Sequence, residues 1–401
     1  MSPTYPSLYA AFDPYPSAKG SATHIRHFSK TLFNELGGGI LYSLGPADEP
    51  AQSVEGNVCY ERFNQPIKNY LQRAEAYTKR LQELLSAQPA MELVHFRDIW
   101  GGLPLLEDAA KATKIFEVNG LPSVELPYRY GNLPRSTLDK IYQLEQHCLL
   151  QADHIIVPSA TISQYLKRRG VLPDKISLIP NGAEVPPIFD RPSDAPEKYL
   201  IYFGALQVWQ GVDVLLKALR YLQDFDKLKL LICAAHRRHY VKPYRKLAEK
   251  LGVADRIVWK FCLPQDELWA YVQHAELSIA PLKEGSRNLE QGCCPLKIVE
   301  SMACGTTTVA SDLPVVRELL TDRVDGKLVK AERPAELARA IRVLLDYPEE
   351  NAKLAREAKK KVVEQYQWSK QCTQLSELYQ MLTSNQTCYV QKQQQSLPDL
   401  P

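Results

Sequence analysis

Short apolar runs alternate with amphipathic segments along the first half of the 401-residue chain. Residues 7–13 (SLYAAFD) predict a strand. Residues 21–36 predict a helix, because Ile25, Phe28 and Leu32 recur at helical spacing. Further strands are predicted at 37–45, 91–96, 113–118, 153–159 and 175–182, and further helices at 69–87, 136–152 and 161–170. This alternation predicts an α/β fold with a parallel sheet covered by helices on both faces.

The alternation starts again after a stretch rich in proline and acidic residues. Strands are predicted at 198–206, 228–235, 256–261, 276–282 and 325–330, and helices at 211–222, 244–253, 266–274, 315–322 and 332–348. The sequence thus predicts two doubly wound, Rossmann-like domains that face a central cleft. The predicted boundaries are 1–185 for the first domain, 186–197 for a linker, 198–365 for the second domain, 366–384 for a helix that packs back towards the first domain, and 385–401 for a disordered tail.

Composition narrows the class of protein. Hydrophobic residues make up 45% of the chain and charged residues 24%, which is typical of a globular protein. The net charge of +3 is too small to indicate a nucleic-acid partner. The sequence shows neither a long apolar run nor a signal peptide, so we expect a cytoplasmic location. The nine cysteines form no CxxC pair, and neither a zinc site nor a disulfide framework is predicted.

The stretch EQGCCPLKIVESMACGTTTVASDLP at 290–314 carries the most specific chemistry. Pro295 suits the first position of a helix, and Gly305 fits just past its end. The free N–H groups of that helix start, with Lys297, would form an anion site. Glu300 lies one turn deeper, where a carboxylate can accept hydrogen bonds from two sugar hydroxyls. The same residues would equally suit a packed helix with a Lys297–Glu300 pair.

Glu300-Ser301-Met302-Ala303-Cys304-Gly305, followed by TVAS at 308–311, resembles the donor-nucleotide motif of retaining GT-B glycosyltransferases of group 1, family four. The resemblance extends over essentially the whole chain, including IPNGAEV at 179–185. It implies that Glu300 binds the ribose of a nucleotide sugar. It also implies that the backbone before the helix lies against the donor sugar and phosphates. The residues expected there are Gly292, Cys293, Cys294, Pro295 and Leu296.

The chain departs from this family pattern at three positions. Gly292 stands in the place of the first motif glutamate, unless Asn288 or Glu290 takes over its role. Ala205 and Gln210 stand where the family usually carries the arginine and lysine that hold the diphosphate. Some members carry Pro-Leu-Lys before the second glutamate, so we expect the missing charge to be supplied by Lys297 and Arg287. These two cations would stabilise the negative charge that builds on the leaving diphosphate.

Four positions outside this stretch are also candidates for the donor site. Gly20, in the loop PYPSAKGS, would let the backbone approach the diphosphate. The same residues would also suit an ordinary turn followed by a helix cap. Gly204 and Gln210 lie in the first loop of the second domain. Asn119 falls where many relatives carry a histidine that contacts the donor sugar, and it would equally suit an Asn-Gly turn. His95 to Asp98 follow a strand and either reach the cleft or form an Arg–Asp pair.

The sequence therefore predicts an enzyme that transfers a sugar, with retention, from a UDP- or GDP-linked donor to a saccharide or lipid-linked acceptor. No metal or other cofactor is expected, because no Asp-x-Asp motif falls at a cleft position. The family default also implies polysaccharide biosynthesis and peripheral contact with the inner membrane face. The missing motif residues leave open a degraded relative that binds nucleotide or glycan without turnover. A dinucleotide-dependent oxidoreductase would need G-x-G-x-x-G after a strand, and the sequence has none.

Overall fold

The structure is a computed structural model that describes residues 4–17, 19–46, 49–88, 91–109, 111–235 and 238–395, with the backbone only over 385–395. The first half of the chain builds an eight-stranded sheet of order β3-β4-β2-β1-β5-β6-β7-β8. Its strands are β1 (Ser7–Pro14), β2 (Gly39–Leu44), β3 (Gln52–Glu55), β4 (Val58–Phe63), β5 (Leu93–Phe96), β6 (Thr113–Glu117), β7 (His154–Val157) and β8 (Ile176–Leu178). All neighbours are parallel except β3 and β4. Because β1 is central and covered on both faces, Leu8 to Ala11 are fully buried.

Helices of the first half of the chain cover this sheet. They are α1 (Gly20–Leu36), α2 (Tyr70–Ser86), α3 (Ile99–Asp108), α4 (Pro122–Arg129), α5 (Arg135–Gln151) and α6 (Ala160–Arg168). Two separate hydrophobic clusters pack against the two faces of the sheet, one containing Phe96 and Phe116, the other containing Tyr9 and Ile156. The prediction of helices on both faces is confirmed.

The second half builds a six-stranded, all-parallel sheet of order β11-β10-β9-β12-β13-β14. Its strands are β9 (Lys198–Gly204), β10 (Leu228–Ala234), β11 (Ile257–Phe261), β12 (Leu277–Ala280), β13 (Thr308–Ser311) and β14 (Lys327–Val329). The helices of this half are α7 (Val212–Leu219), α8 (Lys242–Leu251), α9 (Gln265–Gln273), α10 (Leu296–Cys304), α11 (Pro314–Arg317), α12 (Pro334–Asp346) and α13 (Pro348–Lys361). The two-domain, doubly wound prediction is therefore confirmed.

The chain passes between the two halves twice, and the two crossings touch. The backbone N–H of Ala183 donates to the Tyr366 carbonyl at 2.7 Å, and that of Trp368 donates to the Ala183 carbonyl at 3.3 Å. Gly182 is required at the first crossing, because a Cβ there would lie 2.8 Å from the Trp368 backbone. The paired crossings form one narrow connection between the two sheets, which we refer to as the hinge.

The last helix, α14 (Trp368–Gln395), returns to the first sheet. Leu375, Leu378 and Tyr379 pack into the cluster that contains Phe28 of α1. Helical backbone continues to Gln395, whereas the sequence predicts disorder from residue 385. That segment contains no glycine or proline, and five of its eleven residues are glutamine, which is a good helix former. Residues 396–401 of the predicted tail lie outside the described residues.

The antiparallel β3–β4 pair and the short helices α3 and α4 are not predicted by the sequence pattern. The side chains of β3 are mostly exposed, so its sequence carries no apolar alternation to signal a strand. Two glycines and one proline within α3, and a proline within α4, lower the apparent helix propensity of these segments. Along the described part of the chain, no helix is both long and apolar enough to cross a membrane.

Candidate active site

A cavity of about 360 Å³ opens between the two sheets, and we refer to it as the cleft cavity. The second half contributes the loops that follow β9, β10 and β11, while the first half contributes the start of α1 and part of α4. The lining residues include Asp13, Lys19, Gly20, Ser21, Glu125, Arg129, Gly204, Ala205, Trp209, Gln210, Gln265, Arg287 and Glu300. The cavity lies at the carboxyl ends of parallel strands, where ligands of open α/β sheets bind.

The helix starts of α1 and α10 meet at the mouth of this cavity. A Cβ on Gly20 would lie 2.7 Å from Cδ1 of Leu296, so the two helix starts are in direct contact. Leu296 also packs against the hydrophobic cluster of the first sheet. Pro295 occupies the N-cap of α10 and not its first helical position, so the helix begins one residue later than predicted. Gly305 ends the helix with φ of 76°, as expected. Leu296 thus serves as a contact between the halves.

Lys297 is buried behind the cavity wall. Its Nζ donates a hydrogen bond to Oε1 of Gln210 at 2.6 Å and lies 4.0 Å from the centroid of the Tyr202 ring. Gly204, with φ of 110°, brings the backbone close to the same ammonium group, because a Cβ there would be 4.0 Å from Nζ. Burial lowers the pKa of Lys297 to about 7. The lysine is therefore a desolvated cation that an anion in the cavity would stabilise.

Glu300 lies one turn along α10 and lines the cavity. Burial raises the pKa of its carboxyl to about 7, although Gln265 and the Lys297 charge act in the opposite direction. A poorly solvated carboxylate gains from donors that a ligand supplies, such as the hydroxyls of a sugar. The structure thus brings Glu300, Gln210, Gly204 and Gly20 around one space.

Arg287 begins a short π-helical turn, Arg287–Gln291, and reaches into the same cavity. Its Nε donates to Oε1 of Glu125 in α4 at 2.6 Å, and its guanidinium also donates to the carbonyls of Asn119 and Gly292. Burial acts to lower its pKa, but the interactions with Glu125 and Cys293 together raise the pKa above its usual value. Arg287 therefore joins the two halves as well as lining the cavity.

The remaining predicted residues of the stretch before α10 do not line the cavity. Asn288 is buried and donates to the carbonyls of Trp209 at 3.0 Å and Lys283 at 2.8 Å, which fixes the loop. Gly292 has φ of 90° and faces α6, where a Cβ would lie 2.9 Å from the side chain of Thr161. A glutamate at this position would have no room in the observed fold, so a carboxylate there is sterically excluded.

Cys293 and Cys294 border a different space, a cavity of about 220 Å³ near Glu318 and Tyr366. The Sγ of Cys293 contacts Oδ1 of Asn288 at 3.8 Å, and the Cys294 carbonyl accepts from Nδ2 of Asn181 at 2.7 Å. No disulfide forms among the described cysteines, and Cys388 lies outside those whose side chains are described. The two cysteines act here as small packing residues beside the hinge.

Asn119 lies at the end of β6 and does not line the cleft cavity. Its amide donates to Glu117, and its carbonyl accepts from Arg287 at 3.1 Å. It borders a neighbouring cavity of about 240 Å³, described below. Glu125 and Asp13, rather than position 119, supply carboxylates at the boundary between the two spaces.

A buried ionic network supports this boundary, and sequence reasoning missed it. Glu117 is 1% exposed and contacts Nε2 of His24 at 2.8 Å, Nε2 of His95 at 3.2 Å and Nε of Arg97 at 3.0 Å. Although burial would raise the pKa of Glu117, the charges of His24 and Arg97 hold it well below its usual range. Nothing in the linear spacing of these residues, on α1, β5 and β6, signals that they converge.

Asn181 extends this network to the second half. Its Oδ1 lies 2.7 Å from Nδ1 of His24, while its Nδ2 donates to the carbonyl of Cys294, just before α10. The start of α10 is therefore held from both sides, by Asn181 at the hinge and by Gly20 at the cleft. Within the described residues, no group of three or more His, Cys, Asp or Glu side chains is arranged to hold a metal ion.

Two family models match the chain. The model described as glycosyl transferases group 1 matches residues 188–361, and the model described as glycosyltransferase family 4 matches residues 18–185. Between them they match most of both halves and the first crossing at Gly182 and Ala183, whereas the second crossing lies beyond residue 361.

Relatives and solved structures agree with these matches. A D-inositol 3-phosphate glycosyltransferase from Corynebacterium glutamicum (strain R) is 29% identical over 301 residues, or 70% of each chain. Sucrose-phosphate synthase from Thermosynechococcus elongatus superposes with a TM-score of 0.77 at 17% identity, over 94% of this chain and 100% of that one. Anabaena HepE, in complex with UDP and glucose, gives a TM-score of 0.70 at 18% identity, over 94% and 99%.

Proposed function

This chain belongs to the group 1, family 4 glycosyltransferases and has their two-domain GT-B fold, and from that premise we propose that it transfers a sugar from a nucleotide diphosphate donor to a saccharide acceptor. The donor would lie in the cleft cavity, with its ribose at Glu300 and its diphosphate beside the point where the starts of α1 and α10 touch. Solved relatives of the same fold include complexes with UDP and UDP-glucose, which supports a nucleotide in this position.

The observation that carries the proposal is the contact between Lys297 and Gln210. Position 210 is where the family usually carries a lysine for the diphosphate, and here the ammonium of Lys297 lies 2.6 Å from that side chain. The cation is thus kept at nearly the same place although it comes from α10. A desolvated ammonium with a pKa of about 7 gains its full charge when an anion binds beside it.

The proposed reaction breaks the bond between C1 of the sugar and the bridging oxygen of the diphosphate, with the electron pair leaving on that oxygen. Lys297 and the start of α10 stabilise this charge, and Arg287 holds the wall of the cavity opposite them. The acceptor hydroxyl forms the new bond at C1, and its proton passes to the departing diphosphate oxygen. Retention and independence of a metal ion are parts of this proposal.

The acceptor is a further part of this proposal. We propose that it is a saccharide, free or lipid-linked, bound mainly by the first half. A lipid-linked acceptor would require the protein to contact a membrane surface peripherally.

The experiment is a thermal shift assay with UDP, GDP and a panel of UDP- and GDP-linked sugars. Ligand that binds only the folded protein raises Tm with the logarithm of saturation. We expect a shift for one base, and we expect Lys297→Ala and Glu300→Ala to abolish it. Lys227→Ala and Glu197→Ala are matched controls, because these residues form an exposed pair, 71% and 65% exposed, far from the cleft. A retained shift in both cleft variants would disprove the site.

A binding protein without turnover is the second candidate, and the glycine at position 292 favours it. The enzyme and the binding protein are distinguished by a nucleotide-release assay. It measures whether UDP or GDP is released from the sugar nucleotide that gives the largest thermal shift. Transfer or slow hydrolysis by the wild type, lost in Lys297→Ala, supports an enzyme. A full thermal shift with no release, over the whole sugar panel, supports a binding protein.

A further inference from the structure

A second cavity of about 240 Å³ adjoins the cleft cavity, and we refer to it as the side cavity. Apart from Arg287, all the residues on its wall belong to the first half of the chain. The two cavities share Asp13, Ser21, Glu125, Arg129 and Arg287 on their walls. A molecule in the side cavity would therefore meet the sugar end of a donor in the cleft cavity.

One wall of the side cavity is aromatic. Phe12 lies edge-on to Tyr70 with ring centroids 5.6 Å apart, and Nε1 of Trp100 donates to the Tyr70 hydroxyl at 2.9 Å. The Arg73 guanidinium lies 5.7 Å from the Phe12 ring and 5.8 Å from the Tyr70 ring. These contacts hold the rings in fixed orientations. A rigid aromatic wall with a few polar groups opposite is the composition of a small-molecule site, and it suits the C–H face of a sugar ring.

The charges on the wall are already balanced. Arg97 pairs with Glu117 at 3.0 Å, Arg129 with Glu125 at 3.3 Å, and Arg287 with Glu125 at 2.6 Å. Among the described residues of this wall, every cation thus faces a carboxylate. A phosphate group on the ligand would find no arginine without a carboxylate partner here, and it would meet the like charges of Asp13 and Glu125 on the same wall. The wall therefore favours an uncharged ligand.

Asp13 is the carboxylate best placed to act on such a ligand. Asp98 is occupied as a helix cap, because it accepts from the backbone N–H groups of Phe12, Trp100 and Gly101. Glu125 is occupied by its two arginines. The Asp13 side chain is 41% exposed, borders both cavities, and has its nearest cation, Arg97, 3.7 Å away. It can accept a hydrogen bond at the point where donor and acceptor meet.

We propose that the side cavity binds a neutral, unphosphorylated sugar or polyol ring as acceptor, with the aromatic wall on one face and the attacking hydroxyl hydrogen-bonded to Asp13. This inference rests on the proposed transferase function and deepens it. Asp13 orients the hydroxyl and takes no proton overall, because that proton passes to the diphosphate oxygen. It also distinguishes this chain from its relatives that are named for inositol 3-phosphate.

The test is saturation-transfer NMR on the full chain with UDP or GDP present, whichever shifts Tm. The probes are glucose, mannose, N-acetylglucosamine and myo-inositol, each beside its monophosphate. We expect saturation of at least one neutral ring and at least tenfold weaker binding of its phosphate form. Binding of the phosphates alone, or of no neutral probe, overturns the proposal. Absence of any nucleotide shift would instead be a failure of the donor site, so the two failures are distinguishable.

Two variants test the residues. Tyr70→Ala should remove the saturation of the neutral ring, whereas Tyr221→Ala, at a tyrosine of the second half that is 57% exposed, should keep it. Asp13→Asn should lower kcat with the bound sugar by about tenfold or more, since an amide is a weaker acceptor for the hydroxyl than a carboxylate. Asp13→Glu should recover part of the loss. Unchanged kcat in Asp13→Asn, with saturation intact, would show that Asp13 does not orient the acceptor.

Discussion

Glu318 and Thr161 join the two halves of the molecule across the hinge. The Glu318 carboxylate, just after α11, accepts from Oγ1 of Thr161 at 2.6 Å, from its backbone N–H at 2.9 Å, and from that of Ala160 at 2.7 Å. A carboxylate at the start of α6 satisfies N–H groups that the helix leaves unpaired and favours the helix dipole. One half of the molecule thus caps a helix of the other.

Glu318→Ala should loosen this junction. Loss of the three hydrogen bonds should lower the free energy of unfolding by about 1–3 kcal/mol, measured by urea denaturation. Because the same contact sets the relative position of the halves, KM for the donor should rise as well. Thr161→Val should show a smaller loss, and the double variant should lose less than the sum of the two. Additive losses would mean that the two residues do not act together.

The dependence of kcat/KM on pH should be a narrow bell centred near pH 7. Glu300, with a pKa of about 7, must lose its proton to accept sugar hydroxyls, so activity should rise with pH through that value. Lys297, also with a pKa of about 7, must keep its proton to bind the diphosphate, so activity should fall above it. Lys297→Arg should remove only the alkaline limb, because arginine stays charged. A flat profile from pH 6 to 8.5 in the wild type would contradict both assignments.

Glu300→Gln should stabilise the free protein at alkaline pH while it weakens nucleotide binding. Folding raises the pKa of Glu300, so the ionised carboxylate destabilises the folded protein. This loss of stability is absent below the unfolded pKa near 4.5, grows as pH rises to about 7, and is constant above that value. The difference in Tm between variant and wild type should be near zero at pH 5 and reach a few degrees at pH 8. Glu197→Gln, at an exposed site, should show no such trend.

Gly292→Glu should not restore the family motif usefully. The backbone has φ of 90°, and the first side-chain carbon would lie 2.9 Å from Thr161. We expect a loss of about 2–4 kcal/mol of stability from backbone strain and steric overlap. Gly292→Ala should lose nearly as much, because the Cβ rather than the charge causes the overlap. A gain in activity for Gly292→Glu alone would show that position 292 turns towards the cleft.

Gln210→Lys should be harmful alone and beneficial with Lys297→Ala. Alone, it would place two ammonium groups together beside Tyr202, which burial makes costly. In the Lys297→Ala background, the new lysine would return a cation to the position where the family usually carries one. We expect at least a tenfold recovery of kcat/KM over Lys297→Ala. No recovery would mean that a lysine at position 210 cannot replace the ammonium that Lys297 supplies from α10.

The sequence by itself determined the repeating strands and helices, the two-sheet architecture and the family. These depend on local periodicity and on a contiguous motif around Glu300, both of which can be counted along the chain. Gly305 also ended α10 as expected, because a left-handed helix end is a local requirement that glycine meets. Short apolar strands such as β1 and β9 were predicted for the same reason.

Only the tertiary structure decided which residues share a space. Gly101 and Gly102 make α3 a poor helix by composition, yet a Cβ at these positions would lie 2.9 Å from Ala10 and 2.5 Å from Phe96, so packing against the sheet requires glycine there. Position 292 faces α6 instead of the cleft. Asp13, His24 and Glu318 gain their roles from contacts across more than 80 residues of sequence. Such contacts depend on how the strands order themselves and how the hinge sets the two halves, and no local pattern encodes either.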